Sequence, residues 1–410
     1  MLRDPIAGHT DGICDLQWSQ DGSRLISGGL DHSIMIWNVR DDEKIDITDT
    51  DPDLMNDSIT SIRWSPDGRH FLTAGDWLRL WDAKSGLQVS ELEDEHRSII
   101  FDVAWSHDGC RIATAGSDSK IGMLDPWSDH SKCLVMDAHE GWVNAIDWSP
   151  DDRCVVSGGS DGKLIIWDAA EGRPLGKPMV DHVDAVKAVA WSPNGRWIIS
   201  GSDDNTVILW DVSNRARMGK PMTDHNSSIS EIVWSPDSRW AVSASKDGRL
   251  IKWILGSTEP EAQVMAGHIG WVRTVACSPD GHRLVSGGVD RFLKIWDTAT
   301  RECLAEIMSG HTEPVQAVAW SPDGRQLVSI GEDDKLIRWK VNWERLMSGS
   351  DLALASARRR LQGAEQLGEA ECRILRELDG KGPDPDMIPK RWGYCGPEDD
   401  PYGNPTEESH

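Results

Sequence analysis

Residues 138–169 read AHEGWVNAIDWSPDDRCVVSGGSDGKLIIWDA. Three apolar runs follow the His of this stretch, and they end at Trp148, at Ser157 and at Trp167. Alternation with a period of two is typical of strands, and the Ser-Pro-Asp and Ser-Asp-Gly segments between the runs favour turns. The stretch therefore predicts three short antiparallel strands.

The same pattern returns at a fixed interval along the chain. The separation is 43 residues at each step from His139 through His182, His225 and His268 to His311. A repeat of this length that closes on a Trp-Asp pair is typical of a four-stranded propeller blade. Because one blade cannot bury both faces of its sheet alone, blades stack and share a core. We therefore predict an all-β propeller that runs from His9 to Trp339.

The sequence predicts eight blades, although two of the repeats are irregular. Repeat two has Met55 where the His is expected, and its Trp64 and Trp81 are 17 residues apart instead of 19. Repeat three has Leu124 in place of the closing Trp. Seven blades is the alternative if repeat two does not complete its sheet.

The first residues look like the end of a repeat. The segment MLRDPIAG resembles the pieces that precede the His in other repeats, and no such piece is visible after Trp339. We therefore predict that Leu2–Ala7 forms the outer strand of the last blade, which would close the ring without an open sheet edge. The alternative is that Val341–Leu346 forms this strand.

The composition changes after the repeats. Residues 1–345 are assigned to the propeller, and residues 350–379 are rich in Ala, Leu, Glu and Arg. This second segment predicts an amphipathic C-terminal helix, which either docks on the propeller or contacts a partner. Residues 380–410 combine Pro, Gly and acidic side chains, a composition that predicts a disordered tail.

Charge narrows the classes of partner. The formal net charge is −25, and residues 340–410 contribute −4 of it, which leaves −21 on the repeats. Nucleic acids and anionic membranes are bound through clustered Lys and Arg, so we expect neither as a partner, whereas basic proteins are favoured. No secretory signal or apolar run of 18 residues is visible. We expect a soluble cytoplasmic monomer that joins larger complexes, with the nucleus as the alternative location.

Four positions recur in every regular repeat and are explained by structure. A buried Asp needs hydrogen-bond donors, and an imidazole, a hydroxyl and an indole N–H supply them. Each hydrogen bond to the charged Asp contributes about 1.5–3 kcal/mol. The predicted structural network comprises His139, Ser157, Asp161 and Trp167; His182, Ser200, Asp204 and Trp210; His225, Ser243, Asp247 and Trp253; His268, Ser286, Asp290 and Trp296; and His311, Ser329, Asp333 and Trp339.

This set of residues resembles the WD40 repeat. The stretches GKPMVDH at 176–182 and VAWSPNGRWIISGSDDNTVILWDV at 189–212 are similar to the WD40 arrays of filamentous-fungal proteins, where such arrays often follow a nucleotide-binding NACHT domain. The resemblance covers about residues 1–345 and implies a propeller that serves as a docking platform. No P-loop occurs in this sequence. Because one fold serves many tasks, the resemblance by itself names no partner.

The resemblance also implies which positions line one end of the propeller. In WD40 propellers these are the residues three and five after the His, and the residue before the turn Asp. Two clusters are expected, one of Ile99, Phe101 and Trp142, and one of Trp271 and Arg273 beside Lys246. Exposed aromatic and Arg side chains are frequent anchors of interfaces. The partner-binding residues implied in this way are Leu30, Ile99, Phe101, Trp142, Asn144, Lys187, Asp203, Lys246, Trp271, Arg273 and Val289.

The sequence favours a non-enzymatic scaffold or adaptor that binds a protein or peptide at this end. Gly158–Gly162 matches the G-x-S-x-G pattern of hydrolases, but it lies between two predicted strands and not between a strand and a helix. No metal-binding or cofactor-binding motif is present, so we expect neither a metal nor a cofactor. The alternatives are a ligand-sensing module related to fungal NACHT-WD40 receptors and a propeller hydrolase.

Overall fold

The structure is a computed structural model, and it describes residues 6–7, 9–39, 43–47, 59–92, 96, 98–128, 133–137, 139–256 and 259–340. All of these belong to the first of two units of the chain, Met1–Glu344. The helix predicted at 350–379, the tail at 380–410 and the alternative closing strand Val341–Leu346 lie outside the described residues.

Alternating apolar positions form strands throughout the described part of the chain. The first strand, β1 (Ile6–Ala7), pairs with the last strand, and the next fifteen strands build blades 1–4. Blade 4 has three of them, and its outer edge carries isolated bridges. The strands of blades 1–4 are β2 (Ile13–Trp18), β3 (Arg24–Gly29), β4 (Ile34–Asn38), β5 (Glu43–Ile47), β6 (Ile59–Trp64), β7 (His70–Gly75), β8 (Leu78–Asp82), β9 (Gln88–Leu92), β10 (Ile100–Trp105), β11 (Ile112–Gly116), β12 (Lys120–Leu124), β13 (Leu134–Asp137), β14 (Val143–Trp148), β15 (Cys154–Gly159) and β16 (Leu164–Asp168).

Blades 5–8 repeat the same antiparallel order of four strands, and blade 8 takes its fourth strand from β1. Among the described residues no helix is long and apolar enough to cross a membrane. The strands of blades 5–8 are β17 (Val186–Trp191), β18 (Trp197–Ser202), β19 (Val207–Asp211), β20 (Ala216–Arg217), β21 (Ile229–Trp234), β22 (Trp240–Ser245), β23 (Arg249–Ile254), β24 (Glu261–Ala266), β25 (Val272–Cys277), β26 (Arg283–Gly288), β27 (Phe292–Asp297), β28 (Cys303–Met308), β29 (Val315–Trp320), β30 (Gln326–Gly331) and β31 (Lys335–Lys340).

Eight blades close into a ring, as the repeat predicts. The first strand of each sheet contacts the first strands of both neighbouring sheets, and β29 of blade 8 contacts β2 of blade 1. These first strands are the inner strands of the propeller. The seven-blade alternative is wrong, because β6–β9 form a complete four-stranded sheet. The missing residues of repeat two only shorten the β7–β8 turn, and Phe71 still lies opposite Trp81, as Leu25 lies opposite Trp37 in blade 1.

Apolar side chains of adjacent blades pack into shared clusters. At the junction of the last and first blades, Val328 and Leu336 pack with Ile13, Trp18 and Trp37. Each Trp buries on the order of 150–250 Å². The largest fully buried side chains include Trp81, Trp148, Trp167, Trp210, Trp253 and Trp296.

In blades 4 and 5 this packing leaves no room for a side chain at the Gly that follows the Ser of the second strand. A Cβ added to Gly158 would lie 2.6 Å from Val186 Cγ1 of the next inner strand, and one added to Gly201 would collide with Ile229 Cγ2. Both distances are shorter than a van der Waals contact. Because Gly158 and Gly201 lack a Cβ atom, the inner strand of the next blade can pack closely against them.

The ring is closed by the N-terminal strand, as predicted. Ile6 pairs with Leu336 and Ala7 pairs with Lys335 in an antiparallel register. This pairing joins the beginning of the chain to blade 8 through backbone hydrogen bonds and covers the edge of β31.

Deleting residues 1–7 should lower the melting temperature by several degrees and promote aggregation. The deletion exposes the edge of β31, and each lost backbone hydrogen bond costs about 1 kcal/mol. Scanning calorimetry and light scattering would measure both effects, with deletion of residues 404–410, which no repeat contains, as the control. Equal melting temperatures for the two deletions would contradict closure by β1.

Candidate functional site on the top face

Two kinds of connection meet at one end of every blade. One enters the inner strand and the other joins the second and third strands, because the strands of each sheet are antiparallel. In blade 6 these connections are residues 223–228 and 246–248. We call this end the top face, and the other end, where the inner strand turns into the second strand, the bottom face.

A chain of side-chain hydrogen bonds supports the top face in blades 4–8. The His Nδ1 atom lies 2.7–3.0 Å from an Asp oxygen, and the Nε2 atom lies 2.7–2.9 Å from a Ser hydroxyl. The closing Trp Nε1 atom lies 2.8–3.1 Å from the same hydroxyl. The structure therefore brings the His, Ser, Asp and Trp of each regular repeat together.

The two ends of this chain fix the direction of every hydrogen bond in it. An indole N–H can only donate, and an ionised carboxylate can only accept. The Trp therefore donates to the Ser, the Ser donates to His Nε2, and His Nδ1–H donates to the Asp. This order requires a neutral imidazole, and burial lowers the pKa of His139, His182, His225 and His311 despite the opposing effect of the Asp partners.

The Asp also holds the two top-face connections. Asp247 accepts the backbone N–H of Asn226, which follows the His, at 2.9 Å, and that of Arg249 in its own turn at 2.9 Å. Burial acts to raise the pKa of Asp247, but the hydrogen bonds from Asn226, Arg249 and His225 outweigh it and lower the pKa to about 2. The carboxylate therefore stays ionised and fixes both loops of its blade.

Blade 1 contains the whole chain with a longer Trp bond, and blades 2 and 3 contain incomplete versions of it. In blade 1, Trp37 lies 3.4 Å from the Ser27 hydroxyl, and His9 bonds normally to Ser27 and Asp31. In blade 3, His96 bonds to Thr114 and Asp118 at 2.8 and 2.9 Å, but the Trp position holds a Leu. In blade 2, only the bond from Trp81 to Thr73, at 2.9 Å, is present among the described residues.

The first predicted cluster forms around an aromatic pair. The Phe101 and Trp142 ring centroids are 5.6 Å apart, and Trp142 is 56% exposed. Ile99 is also exposed on this face. Asn144 has a supporting position, because its amide donates to Val186 O of the next inner strand at 2.8 Å and to the Ser160 hydroxyl at 3.1 Å.

The second predicted cluster lines a pocket of about 370 Å³ between blades 5, 6 and 7. Lys246 Nζ lies 5.1 Å from the ring centroid of Trp271, which is 48% exposed. Lys187, Asp203 and Arg273 line the same pocket. Of the two apolar residues named from the sequence, Leu30 is exposed, and Val289 is half-buried.

Two further apolar side chains, which were not predicted from the sequence, are exposed on this face. Val183 is 90% exposed and Ile269 is 75% exposed, and each directly follows a network His. The corresponding residues of four other repeats are polar, namely Thr10, Glu140, Asn226 and Thr312. Comparing this position between repeats would have identified both side chains.

Carboxylates that join neighbouring inner strands were also missed. Asp15, Asp102 and Glu231 occupy one repeat position, and each accepts a backbone N–H of the next inner strand at 3.0, 3.2 and 2.7 Å. Asp147, two positions further along its strand, accepts the N–H of Trp191 at 2.7 Å. An acidic residue recurring within apolar strands was the available signal. Among the described residues no cluster of His, Cys, Asp and Glu suits a metal ion.

Arg63 links three of the inner strands. Its Nη1 atom lies 2.5 Å from Asp15 Oδ2 in blade 1, and its Nη2 atom lies 3.1 Å from Asp102 Oδ1 in blade 3. Burial acts to lower the pKa of Arg63, but the two carboxylates outweigh it and raise the pKa. The guanidinium therefore connects blades 1, 2 and 3 in the sector where the His network is incomplete.

Replacing Asp247 with Ala should destabilise the protein by about 3 kcal/mol, because it leaves the buried His225 and two loop N–H groups without their acceptor. Scanning calorimetry would record this as a loss of several degrees in melting temperature. Asp181→Ala is the matched control, since Asp181 forms a partly exposed ion pair with Arg217 at 3.2 Å and its loss should cost less than about 1 kcal/mol. Equal effects of the two substitutions would refute the role given to the network.

Replacing Glu231 with Gln should stabilise the protein increasingly as the pH rises from about 4.5 to 7, with no further gain above 7. Burial raises the pKa of Glu231 from 4.5 to about 7, against the hydrogen bonds from Val275 and Thr274 and with repulsion from Asp15. The folded state therefore binds a proton that the unfolded state releases over this range, so the stability of the wild type falls as the pH rises, whereas Gln does not titrate.

The gain at pH 8 should be on the order of 1–2 kcal/mol, because Glu231 is only half-buried and solvent reduces the effect of burial. Melting temperatures measured from pH 5 to pH 8 would test it, with Glu261→Gln on the exposed outer strand of the same blade as the control. If the difference in melting temperature between Glu231→Gln and the wild type does not change with pH, the raised pKa of Glu231 is contradicted.

Comparison with known proteins agrees with this geometry. The family model described as "WD domain, G-beta repeat" matches residues 3–38, 55–82, 87–125, 131–168, 173–211, 218–253, 260–297 and 301–340. The crystal structure of the computationally designed Ika8 protein is similar in fold, with a TM-score of 0.70 and 24% sequence identity, over 82% of this chain and 98% of that one.

Three relatives are similar over part of the chain. THO complex subunit 3 of Arabidopsis thaliana is 27% identical over 29% of this chain and 38% of its own length. The WD repeat-containing protein 26 homolog of Arabidopsis thaliana is 33% identical over 31% of this chain and 22% of its own length. Protein HIR1 of Cryptococcus neoformans var. neoformans serotype D is 28% identical over 30% of this chain and 16% of its own length. The matches span well under half of these relatives. From the eight matched repeats and the eight blades, the chain belongs to the WD40 repeat family.

Proposed function

We propose that this protein is a non-enzymatic interaction scaffold or adaptor that binds a protein or peptide on its top face. One observation carries the proposal: large apolar side chains are exposed mainly at this end of the blades. Connections at the bottom face expose Leu87 and Trp127 among the described residues. Connections of the top face expose Leu30, Trp77, Ile99, Trp142, Val183, Ile269 and Trp271.

The physical basis of the proposal is a rigid support beneath variable side chains. Exposed Trp side chains are costly in water and are frequent anchors of interfaces. The Asp-centred network holds the loops that carry Trp142 and Trp271, because Asp161 and Asp290 accept the N–H groups of Glu140 and Ile269 at 2.9 and 3.0 Å. A preorganised loop loses little conformational entropy on binding. One similar protein, THO complex subunit 3, is by its name a subunit of a complex.

Further features of the proposal come from charge and sequence. The net charge of −25 favours basic proteins or peptides as partners and disfavours nucleic acid and membranes. We propose a monomer that joins larger complexes in the cytoplasm, with the nucleus as the alternative, and imaging of a fluorescent fusion would test the location. Residues 350–379 and 380–410 are proposed as a helix and a disordered tail, which circular dichroism and NMR of the full chain would test.

Two other functions are retained as alternatives. A ligand-sensing module is suggested by the resemblance of residues 176–212 to fungal NACHT-WD40 arrays, and a P-loop domain encoded upstream of Met1 would support it. A hydrolase is suggested by Gly158–Gly162, but the Ser160 hydroxyl accepts a hydrogen bond from the Asn144 amide at 3.1 Å. Turnover of a hydrolase substrate panel that is lost in Ser160→Ala would support that alternative.

Replacing Phe101, Trp142 and Trp271 together with Ala should abolish binding of the protein's partners. Each buried aromatic anchor contributes about 2 kcal/mol or more to an interface, so retention of a partner should fall more than tenfold. Quantitative mass spectrometry of proteins retained from native extract would compare the variant with the wild type.

Trp127→Ala is the matched control, since it removes an exposed Trp from the bottom face. The melting temperatures of all variants are compared first, so that only folded proteins enter the experiment. Partners retained equally by the wild type and the triple variant, but lost by Trp127→Ala, would place the binding site at the opposite end.

A further inference from the structure

The pocket between blades 5, 6 and 7 differs in charge from the rest of the molecule. The whole protein carries a formal charge of −25, yet three basic side chains, Lys187, Lys246 and Arg273, line this one pocket of about 370 Å³. They come from three different blades. Basic side chains that converge on one concave site in an acidic protein favour a negatively charged ligand group.

Of the three basic side chains, Lys246 has the positive charge that is least neutralised by neighbouring carboxylates. Its Nζ atom lies 5.1 Å from the Trp271 ring centroid, and within the described part of the chain it forms no ion pair. A cation held over an exposed aromatic ring keeps its N–H donors available to a ligand. Trp271 at the same time offers an apolar wall to a neighbouring residue of the ligand.

Lys187 and Arg273 already contact side-chain oxygen atoms of neighbouring residues. Lys187 Nζ lies 3.5 Å from Asp203 Oδ2. Arg273 donates to Gln316 Oε1 at 2.5 Å and forms an ion pair with Glu332. These contacts show that oxyanions are accommodated beside both cations. Partly exposed ion pairs of this kind contribute little free energy, so a stronger anion can replace them.

A buried hydroxyl group completes the set of donors. Ser230 lines the pocket, and its Oγ atom is buried without a hydrogen-bond partner among the described residues. A buried polar group without a partner destabilises the protein unless a ligand supplies one. Ser228, also in the pocket wall, donates to Asp203.

We propose that this pocket binds a phosphorylated serine or threonine side chain of a peptide that lies across the top face. The inference rests on the proposed function and names the chemistry of its ligand. A phosphate group carries a charge of about −1.5 to −2 and three strong acceptor oxygens, which match three cations and one unpaired hydroxyl. A carboxylate would compete on equal terms with Asp203 and Glu332, which already occupy two of the cations.

The charge of the rest of the protein selects the sequence around the phosphate. Acidic residues spread over the blades repel acidic peptides and attract basic ones before contact. The favoured ligand is therefore a basic segment that carries one phosphate group. This combination explains how a strongly acidic protein can bind an anionic side chain.

The test uses the full-length protein and three degenerate peptide libraries that differ only at the central residue, which is phosphoserine, serine or glutamate. Retention of each library on the immobilised protein is measured, and bound peptides are sequenced. We expect the phosphoserine library to be retained at least tenfold more than the other two, with Lys and Arg enriched beside the phosphoserine.

Substitutions in the pocket should reduce this retention. Lys246→Ala and Arg273→Gln should each reduce it about tenfold, and Ser230→Ala should reduce it several-fold, because each removes a donor to the phosphate. Arg239→Ala is the matched control, since it removes one exposed positive charge at the bottom face and should change nothing. The melting temperature of every variant is compared with that of the wild type before binding is measured.

Several results would overturn the proposal. Equal retention of the glutamate library would show that the pocket accepts any carboxylate. Retention of the serine library that is insensitive to Lys246→Ala but lost in the Trp142→Ala/Trp271→Ala variant would refute phosphate recognition and leave top-face binding intact. Retention of no library would also refute it, while the extract experiment would still decide the proposed function independently.

Discussion

The fold depends on a chain of hydrogen bonds that runs from Trp through Ser and His to Asp inside each regular blade. Its direction is fixed, because the indole can only donate and the carboxylate can only accept. In blade 6 this chain joins Trp253 of the third strand, Ser243 of the second strand and His225 of the loop that enters the blade. One ionised side chain, Asp247, then holds the two loops that form the top face. Stability and the surface used for binding therefore share one interaction.

Where this chain is incomplete, other contacts connect the blades. Blade 2 retains only the Trp81–Thr73 bond of the network among the described residues, but Arg63 from its inner strand is paired with Asp15 and Asp102 on either side. Half-buried carboxylates accept N–H groups of the next inner strand at further junctions, as Glu231 does from Val275. The ring thus combines hydrogen bonds within blades with polar contacts between them, and the top-face side chains vary without disturbing either.

The sequence predicted the strands and their arrangement in blades, but it missed polar contacts between the blades. The repeated pattern predicted the strands and the eight blades, and the likeness of residues 1–8 to the end of a repeat predicted the closing strand. Contact of Asn144 with a partner stays a prediction, and nothing in the sequence indicated that its amide donates to Val186 O of the neighbouring blade. Arg63 contacts Asp15, 48 residues earlier in the chain, and Asp102, 39 residues later, and no local pattern reveals such contacts. Net charge predicted basic partners, whereas the arrangement of Lys187, Lys246 and Arg273 in one pocket required the structure.

Hydrogen exchange of the backbone amides, read by mass spectrometry, tests most directly the claim that the Asp-centred network holds the blades. All blades are compared in one molecule under one condition, so differences report local stability. We expect amides of residues 59–124, where the network lacks members, to exchange faster than those of residues 139–340, where it is complete. Equal protection of the two segments would show that the network is not what stabilises the blades.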